Sequence, residues 1–151
     1  MATCKDLKKI AQARLKTAGI LIKAKDWQGA AYMLPYALEC ALKAVICKKL
    51  NLSVYPDDDK DDTVRTFFST HIFVQLIVVS GLQDIFGPTG IADCFKHWSD
   101  FTAEYPGKWP GMRYNYDKMK QFDEPKVMSL YRNLTEPSFG ILTTIKNKRR
   151  W

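Results

Sequence analysis

The sequence predicts an all-α fold: one domain spanning residues 1–151, built as an up-and-down antiparallel bundle of about five helices. Three observations predict it. The stretch from Trp27 to Leu50 is apolar on nearly every side at helical spacing, which is typical of a helix covered by others. A chain of 151 residues has the length of a single domain. Finally, no two segments alternate polar and apolar residues as a pair of strands would.

The central helix carries two features that need a physical reason. Its apolar stripe is formed by Ala31, Leu34, Leu38, Leu42 and Val45. Glu39 and Lys43 lie four residues apart with the acid first, which places them on one face as a favourable ion pair. Pro35 removes a backbone hydrogen bond in the helix interior and predicts a kink. Either Lys43 contacts an anionic ligand in a dimer groove, with Glu39 beside it, or the pair is structural.

A helix before the central one and a polar segment after it complete the N-terminal half. An apolar stripe predicts a helix from Thr3 or Asp6 to about Lys25, and Asp26 is positioned to cap the central helix. Two long helices joined by so short a connection are antiparallel neighbours. The acidic loop that follows, about residues 53–68, is predicted to be mobile.

The C-terminal half alternates helical and irregular segments. A third helix is predicted from Thr70 and His71 to Ser80, although its β-branched residues also suit a buried strand. His71 is interpreted as supporting the start of this helix. The further predicted elements are a loop at 81–90, a helix from Ile91 to about Glu104, an irregular aromatic segment at 105–117, and a last helix from about Glu124 to Lys148 interrupted near Pro137 and Gly140.

The net charge of +7 is unevenly distributed. Residues 5–26 hold seven basic residues against two aspartates, and the tail 146–151 holds four basic residues, whereas residues 57–62 contain five aspartates. Basic ends of this kind favour polyanionic partners, either nucleotide or RNA. A solvated helix face and a frayed tail explain the same charges.

The sequence predicts a cytoplasmic protein without a membrane span, metal or cofactor. The N-terminus lacks the continuous apolar run of a secretory signal, and the most apolar helix contains Glu39 and Lys43, which are costly in hydrocarbon. The four cysteines form no CxxC pair, as in reduced proteins of the cytosol. Cys94 and His97 have the i,i+3 spacing of two metal ligands, but no second pair accompanies them.

Aromatic residues beside a cation form the clearest ligand-binding pattern. Arg113 precedes Tyr114 and Tyr116, and these side-chain types stack a splayed base and hold a phosphate. Packing within an aromatic loop is the alternative. The sequence contains no Gly-rich phosphate loop, GxSxG elbow or HExxH motif, so kinase, hydrolase and zincin chemistry have no support.

The order of these features resembles the HEPN family (higher eukaryotes and prokaryotes nucleotide-binding), small α-helical domains associated with nucleotides and RNA. Three stretches carry the resemblance: a basic helix followed by the Glu39 and Lys43 pair, Thr70-His71 ahead of Leu76 at the third helix, and Arg113-Tyr114 before the last helix. Two details depart from the family pattern. Leu76 lies further from Thr70-His71 than the family's leucine does, and Asn115 replaces the usual proline after Arg-Tyr.

The resemblance implies a homodimer, often linked to a nucleotidyltransferase partner or a toxin–antitoxin system, and in many members a metal-independent ribonuclease. The family's ribonuclease motif places Arg, a polar residue and then His on the last helix, with His as base or acid and Arg holding the phosphate. Arg132 and Asn133 match its first half, but positions 137–139, where the His is expected, hold none. Arg65 and His71 have a spacing within the family's range and form an alternative pair.

The leading hypothesis is therefore a dimeric HEPN-like module that binds nucleotide or RNA without cleaving it. The candidate ligand-binding residues are Glu39, Lys43, His71, Arg113, Tyr114, Tyr116, Arg132 and Asn133. One alternative is an active ribonuclease that uses Arg65 with His71, or Arg132 with a histidine from elsewhere. The other is a purely structural dimerisation module whose charge serves solubility.

Overall fold

Helices account for all the regular secondary structure in the computed structural model, which describes residues 2–151. Along the chain they are α1 (Cys4–Lys23), α2 (Trp27–Lys49), α3 (Asp62–Phe68), α4 (Phe73–Ser80), α5 (Gln83–Phe86), α6 (Ala92–Thr102), a 3-10 helix (Trp109–Tyr114), α7 (Tyr116–Met119), α8 (Glu124–Thr135) and α9 (Ile141–Asn147). The predicted all-α class is confirmed. The predicted number of about five helices is wrong, because the described part of the chain has about ten. Helices of one or two turns are too short to leave a periodic signal in the sequence.

The two long N-terminal helices pack side by side as an antiparallel hairpin. Thr3 and Asp6 start α1 with a capping box, in which each side chain accepts a hydrogen bond from the backbone amide of the other. The Asp6 carboxylate also accepts from the Thr3 hydroxyl at 2.6 Å, and this bond, together with the one from the Thr3 amide, lowers the pKa of Asp6. The connection contains Lys25 in a left-handed conformation with φ of 60°. As predicted, Asp26 caps α2, since its carboxylate accepts from the Gly29 amide at 2.9 Å.

The centre of the core is α2, which continues through Pro35 without a break. By length and composition α2 alone is apolar enough to cross a membrane among the residues described, and 78% of its most apolar window is buried inside the protein. The pair α3 and α4 meets the same criterion only if counted as one span, and it is bent by 104°. The core helix of a soluble protein meets this criterion as well.

The acidic segment after α2 differs from the predicted mobile loop of about 53–68. Its second half is α3, which is capped by Asp61, whose carboxylate accepts from the Thr63 amide at 2.8 Å. Its first half is anchored by Tyr55, which is 1% exposed and donates its hydroxyl to the Phe68 carbonyl at 3.0 Å. The segment therefore folds over α2, because one buried ring fixes a stretch whose sequence is otherwise polar.

The predicted interruption of the last helix is confirmed as a break between α8 and α9. Glu136 organises it, since its carboxylate accepts from the amides of Ser138 at 3.1 Å and Phe139 at 2.6 Å. These backbone bonds lower the pKa of Glu136. Gly140 is required here, because a Cβ at this position would meet the Glu136 backbone nitrogen at 2.5 Å.

Candidate functional site

A buried acid–base cluster lies where the segment before α4 crosses α2. Glu39 is only 4% exposed, and both of its oxygens lie 2.9 Å from Nδ1 of His71. The Lys43 ammonium lies 2.9 Å from the same carboxylate and 3.7 Å from Asp57. The Lys43 ammonium also lies 5.0 Å from the centre of the Tyr55 ring. One turn of α2 thus brings a carboxylate and an ammonium to one face, and the next segment covers both.

The geometry indicates that this cluster is structural: it holds the segment before α4 against α2. We call Glu39, Lys43 and His71 the brace. A buried charge is tolerated when it is paired and hydrogen-bonded, and Glu39 meets both conditions through Lys43 and His71. For Nδ1 of His71 to donate to the carboxylate it must carry a proton, so Nε2 is the nitrogen left for other partners. The His71 side chain is 47% exposed, whereas the side chain of Lys43 is 8% exposed. Of His71, Glu39 and Lys43, the imidazole of His71 is therefore the group open to a ligand.

Trp109 joins this cluster to a second group of aromatic side chains. Its ring is fully buried and lies edge-on to those of Tyr36 at 4.9 Å, Tyr32 at 5.9 Å and His71 at 6.2 Å between ring centres. Edge-to-face contacts at such distances are the preferred arrangement of aromatic pairs. His71 and the tyrosines of α2 are therefore held by a single indole.

Arg113, at the end of the 3-10 helix, organises the exposed side of this aromatic group. Its Nη1 donates to the Tyr32 hydroxyl at 3.2 Å, and its guanidinium carbon lies 4.7 Å from the centre of the Tyr114 ring. Burial, together with a hydrogen bond to Tyr36, raises the pKa of Tyr32 to about 12, so the hydroxyl is protonated at neutral pH. We call Arg113, Tyr32, Tyr114 and Tyr116 the aromatic surface.

The aromatic surface is accessible to a ligand. Tyr114 is 80% exposed and Tyr116 is 75% exposed, although both are large rings that are commonly covered in folded proteins. Lys120 lies 5.8 Å from the centre of the Tyr116 ring. The surface thus presents two open ring faces, each next to a cation.

Arg132 and Asn133 lie on α8, apart from the aromatic surface, and Asn133 contacts a histidine that lies outside the family's last-helix motif. Asn133 is 5% exposed, and its amide nitrogen is 3.0 Å from Nδ1 of His97 on α6. Nε2 of His97 is 3.6 Å from the Glu136 carboxylate. The buried Asn133 oxygen has no hydrogen-bond partner among the described residues. Arg132 is exposed, and with Glu136 it lines a concavity of about 550 Å³.

The other candidate pair, Arg65 and His71, is divided between different partners. The Arg65 guanidinium donates to the Asp59 carbonyl at 3.0 Å and pairs with Asp62 within its own segment. His71 instead contacts Glu39 of α2. The side chains of Arg65 and His71 are thus engaged in two separate sets of contacts.

Cysteines and histidines do not assemble a metal centre within residues 2–151, where no group of three or more potential ligands is found. The Cys94 thiol lies 3.7 Å from the Thr144 hydroxyl. Burial raises the pKa of Cys94, and it raises that of Cys47 to about 11. These thiols therefore stay protonated at neutral pH and are weak nucleophiles.

The fold and these clusters define a class of protein: an all-helical domain built on a long N-terminal hairpin, with a buried acid–base pair on the second helix of that hairpin. The family model described as the HEPN domain matches residues 4–56, which include α1, α2 and the turn after them. The match confirms the HEPN resemblance and includes Glu39 and Lys43, but His71, the aromatic surface beyond Tyr32, and Arg132 lie outside it. Comparisons with curated proteins and with solved structures found no match.

Proposed function

We propose that this protein is a dimeric HEPN-like module that binds a nucleotide or single-stranded RNA at the aromatic surface. The observation that carries the proposal is the pairing of Arg113 with Tyr114: a guanidinium held 4.7 Å from a ring that is 80% exposed. Binding proteins for single strands combine such rings, on which bases stack, with cations that track the backbone. The HEPN match supports the same class of ligand.

The contacts of Arg113 leave capacity for a phosphate. A guanidinium has five N–H donors, and the Tyr32 hydroxyl takes one of them at 3.2 Å. Arginine binds phosphate through two parallel bonds, so a base on Tyr114 and its phosphate at Arg113 are compatible. Lys43, in contrast, is buried and paired, and we assign it to the brace instead of the ligand.

For the dimer, we propose contact through the outer faces of α3 and α4. Phe67 is 57% exposed, and Val74 and Val78, one turn apart on α4, are 67% and 51% exposed. With neighbouring apolar residues these side chains line a concavity of about 470 Å³. Apolar surface of this kind marks interaction sites in soluble proteins, and a second copy buries it on both partners. A place in a toxin–antitoxin or nucleotidyltransferase-linked system is a proposal that rests on the HEPN match alone.

Titration of the purified protein with labelled nucleotides and short RNAs, at low and moderate salt, tests the binding proposal directly. We expect affinity above that of an unrelated protein of equal net charge, with a salt dependence that reflects the phosphates contacted. Equal affinity of the two proteins would refute the proposal and leave the structural dimerisation module. Sedimentation at several concentrations tests the dimer.

Tyr114→Ala is expected to weaken RNA binding about 5- to 150-fold, because stacking contributes about 1–3 kcal/mol per base. The ring is 80% exposed, so the free energy of unfolding should not change measurably. Fluorescence anisotropy with a labelled single strand measures the loss. Tyr114→Phe is the matched control and should retain affinity, since it keeps the ring; a loss as large as that of alanine would contradict stacking.

A second function is favoured by one observation, the contact of His97 with Asn133, the residue that follows Arg132 on α8. We propose as an alternative that His97 replaces the histidine missing from α8 in metal-independent RNA cleavage. In this reaction the ribose 2′-oxygen attacks phosphorus while Nε2 of His97 takes its proton. This step requires Nδ1 of His97 to carry the ring hydrogen and to donate it to the Asn133 side-chain oxygen, instead of accepting from the Asn133 nitrogen. The bond to the 5′-oxygen breaks, water protonates that oxygen, and Arg132 binds the phosphate.

Incubation with RNA in EDTA separates the two functions. A binding module leaves the RNA intact. If cleavage occurs, His97→Ala is expected to abolish it and His71→Ala to preserve it, because the Arg65 guanidinium that would act with His71 is engaged by Asp59 and Asp62. Cleavage that survives His97→Ala would refute this assignment.

A further inference from the structure

The last residues of the chain form a defined turn packed against the end of α2. The Arg149 amide donates to the Lys146 carbonyl and the Arg150 amide to the Ile145 carbonyl, both at 3.0 Å, which is the hydrogen-bond pair of a Schellman motif. The Lys48 ammonium donates to the Arg149 carbonyl at 2.5 Å. The turn is thus attached to α2, in contrast to the frayed tail considered as one explanation of its charge.

A concavity of about 310 Å³ opens between this turn and the ends of α2 and α4. Its lining residues are Val45, Lys48, Lys49, Ser80, Gly81, Arg149 and Arg150. Four of them are cationic and none carries a carboxylate, and we call this concavity the basic pocket. Since one water molecule occupies about 30 Å³ of liquid, the pocket has room for a phosphate group.

Two of the four cations have protein partners and two do not. Lys48 is bound to the Arg149 carbonyl, and Arg150 pairs with Asp84 at 3.2 Å. Neither the Lys49 ammonium nor the Arg149 guanidinium has an acceptor within residues 2–151. Like charges around one cavity repel each other, and an anion between them converts this repulsion into attraction.

The backbone at Gly81 makes room for one of these cations. Gly81 has a φ of +72°, and a Cβ there would collide with the Lys49 ammonium. The missing side chain thus allows Lys49 to lie across the end of α4. A larger residue at this position would displace the ammonium from the pocket.

Stabilisation of helix ends is the competing explanation for these cations, because positive charge is favourable near a helix C-terminus. Lys25 illustrates it: this residue follows α1, is exposed and has a φ of 60°, close to the 51° of Arg149. Lys25 and Arg149 thus have the same charge and nearly the same backbone conformation after a helix. Arg149 differs in lining a pocket together with three other cations, Lys48, Lys49 and Arg150.

We propose that the basic pocket binds a phosphate group, free or within a nucleic-acid backbone, through Lys49 and Arg149. Lys48 and Arg150 shape the pocket and add charge. This site differs from the aromatic surface and does not depend on the proposed function.

Calorimetric titration with inorganic pyrophosphate at low ionic strength tests the proposal on the full chain. Arg149→Gly is expected to weaken binding about tenfold, the loss of one charge-assisted hydrogen bond. Lys25→Gly is the matched control and should change affinity less than twofold, since it lies about 33 Å away at the other end of α2. Both substitutions place glycine at a left-handed position and should preserve the Tm. Lys49→Gln should repeat the loss without any backbone change.

The outcomes distinguish binding at the basic pocket from a general effect of net charge, and a free phosphate compound from a nucleic-acid backbone. Equal losses for Arg149→Gly and Lys25→Gly, or no pyrophosphate binding by the wild-type protein, overturn the proposal. If Arg149→Gly weakens both pyrophosphate and single-stranded RNA, the pocket holds a backbone phosphate; if it weakens pyrophosphate alone, the ligand is a free phosphate compound. Tyr114→Ala should leave pyrophosphate binding unchanged. If the proposal that the aromatic surface binds RNA is wrong, only the RNA titration will therefore show it.

Discussion

Replacing Glu39 by alanine is expected to lower the free energy of unfolding by about 3–5 kcal/mol, the usual cost of leaving a buried charge without its partner. Lys43 is 6% exposed, and after the change only Asp57, at 3.7 Å, faces its ammonium. His71 also loses its carboxylate partner. Domains have about 5–15 kcal/mol of stability in total, so the effect is large. Urea unfolding followed by circular dichroism measures it.

Two controls identify the cause of this loss. Asp100→Ala removes a pair of the same i,i+4 spacing, Lys96 with Asp100 at 2.8 Å, but on the surface, where we expect about 0.5 kcal/mol or less. Replacing both Glu39 by leucine and Lys43 by methionine should cost less than Glu39→Ala, because no uncompensated ammonium is left behind. If Glu39→Ala costs no more than Asp100→Ala, the brace does not stabilise the fold as argued.

Features that depend on neighbours in sequence could be predicted from the residues. The Glu39 and Lys43 pair follows from one helical turn, and the Asp26 cap from the residue before an apolar run. The break between α8 and α9 follows from Pro137 and Gly140. Each of these depends on backbone geometry within a few residues, which is why periodicity and turn chemistry were sufficient.

Contacts between distant residues could not be predicted in this way. His71 meets Glu39 across 32 residues, and Asn133 meets His97 across 36. Spacing carries no information about such pairs, because they depend on how the helices pack. His97 had a sequence signal, its i,i+3 spacing to Cys94, but that pattern indicated a metal and not a partner for α8.

The role of Trp109 was missed for a related reason. Tyr32 and Tyr36 lie four residues apart on α2, a spacing that predicts one aromatic face. Trp109, which covers that face, belongs to a segment with two prolines and two glycines, and the sequence predicts only that this segment is irregular. The indole at the start of a short 3-10 helix is therefore visible only in the structure.

Trp109→Ala is expected to cost about 3–5 kcal/mol of the free energy of unfolding, because it removes a fully buried indole and leaves a cavity. Its ring also stacks on Phe73, at 6.4 Å between centres and 3° between planes, so the cavity reaches from the tyrosines of α2 to α4. Trp109→Phe should cost less, about 1–2 kcal/mol. The indole N–H has no partner within residues 2–151, so no hydrogen bond is lost.

Because Tyr32 packs on Trp109 and receives the Arg113 hydrogen bond, Trp109→Ala should also weaken RNA binding, whereas Trp109→Phe should preserve it. Unfolding in urea gives the stability of each variant, and anisotropy titration at a temperature where both are folded gives the affinity. A Trp109→Ala protein that is destabilised but binds RNA like the wild type would show that the indole supports the core alone. In that case Arg113 and Tyr114 hold the ligand without the buried ring behind Tyr32.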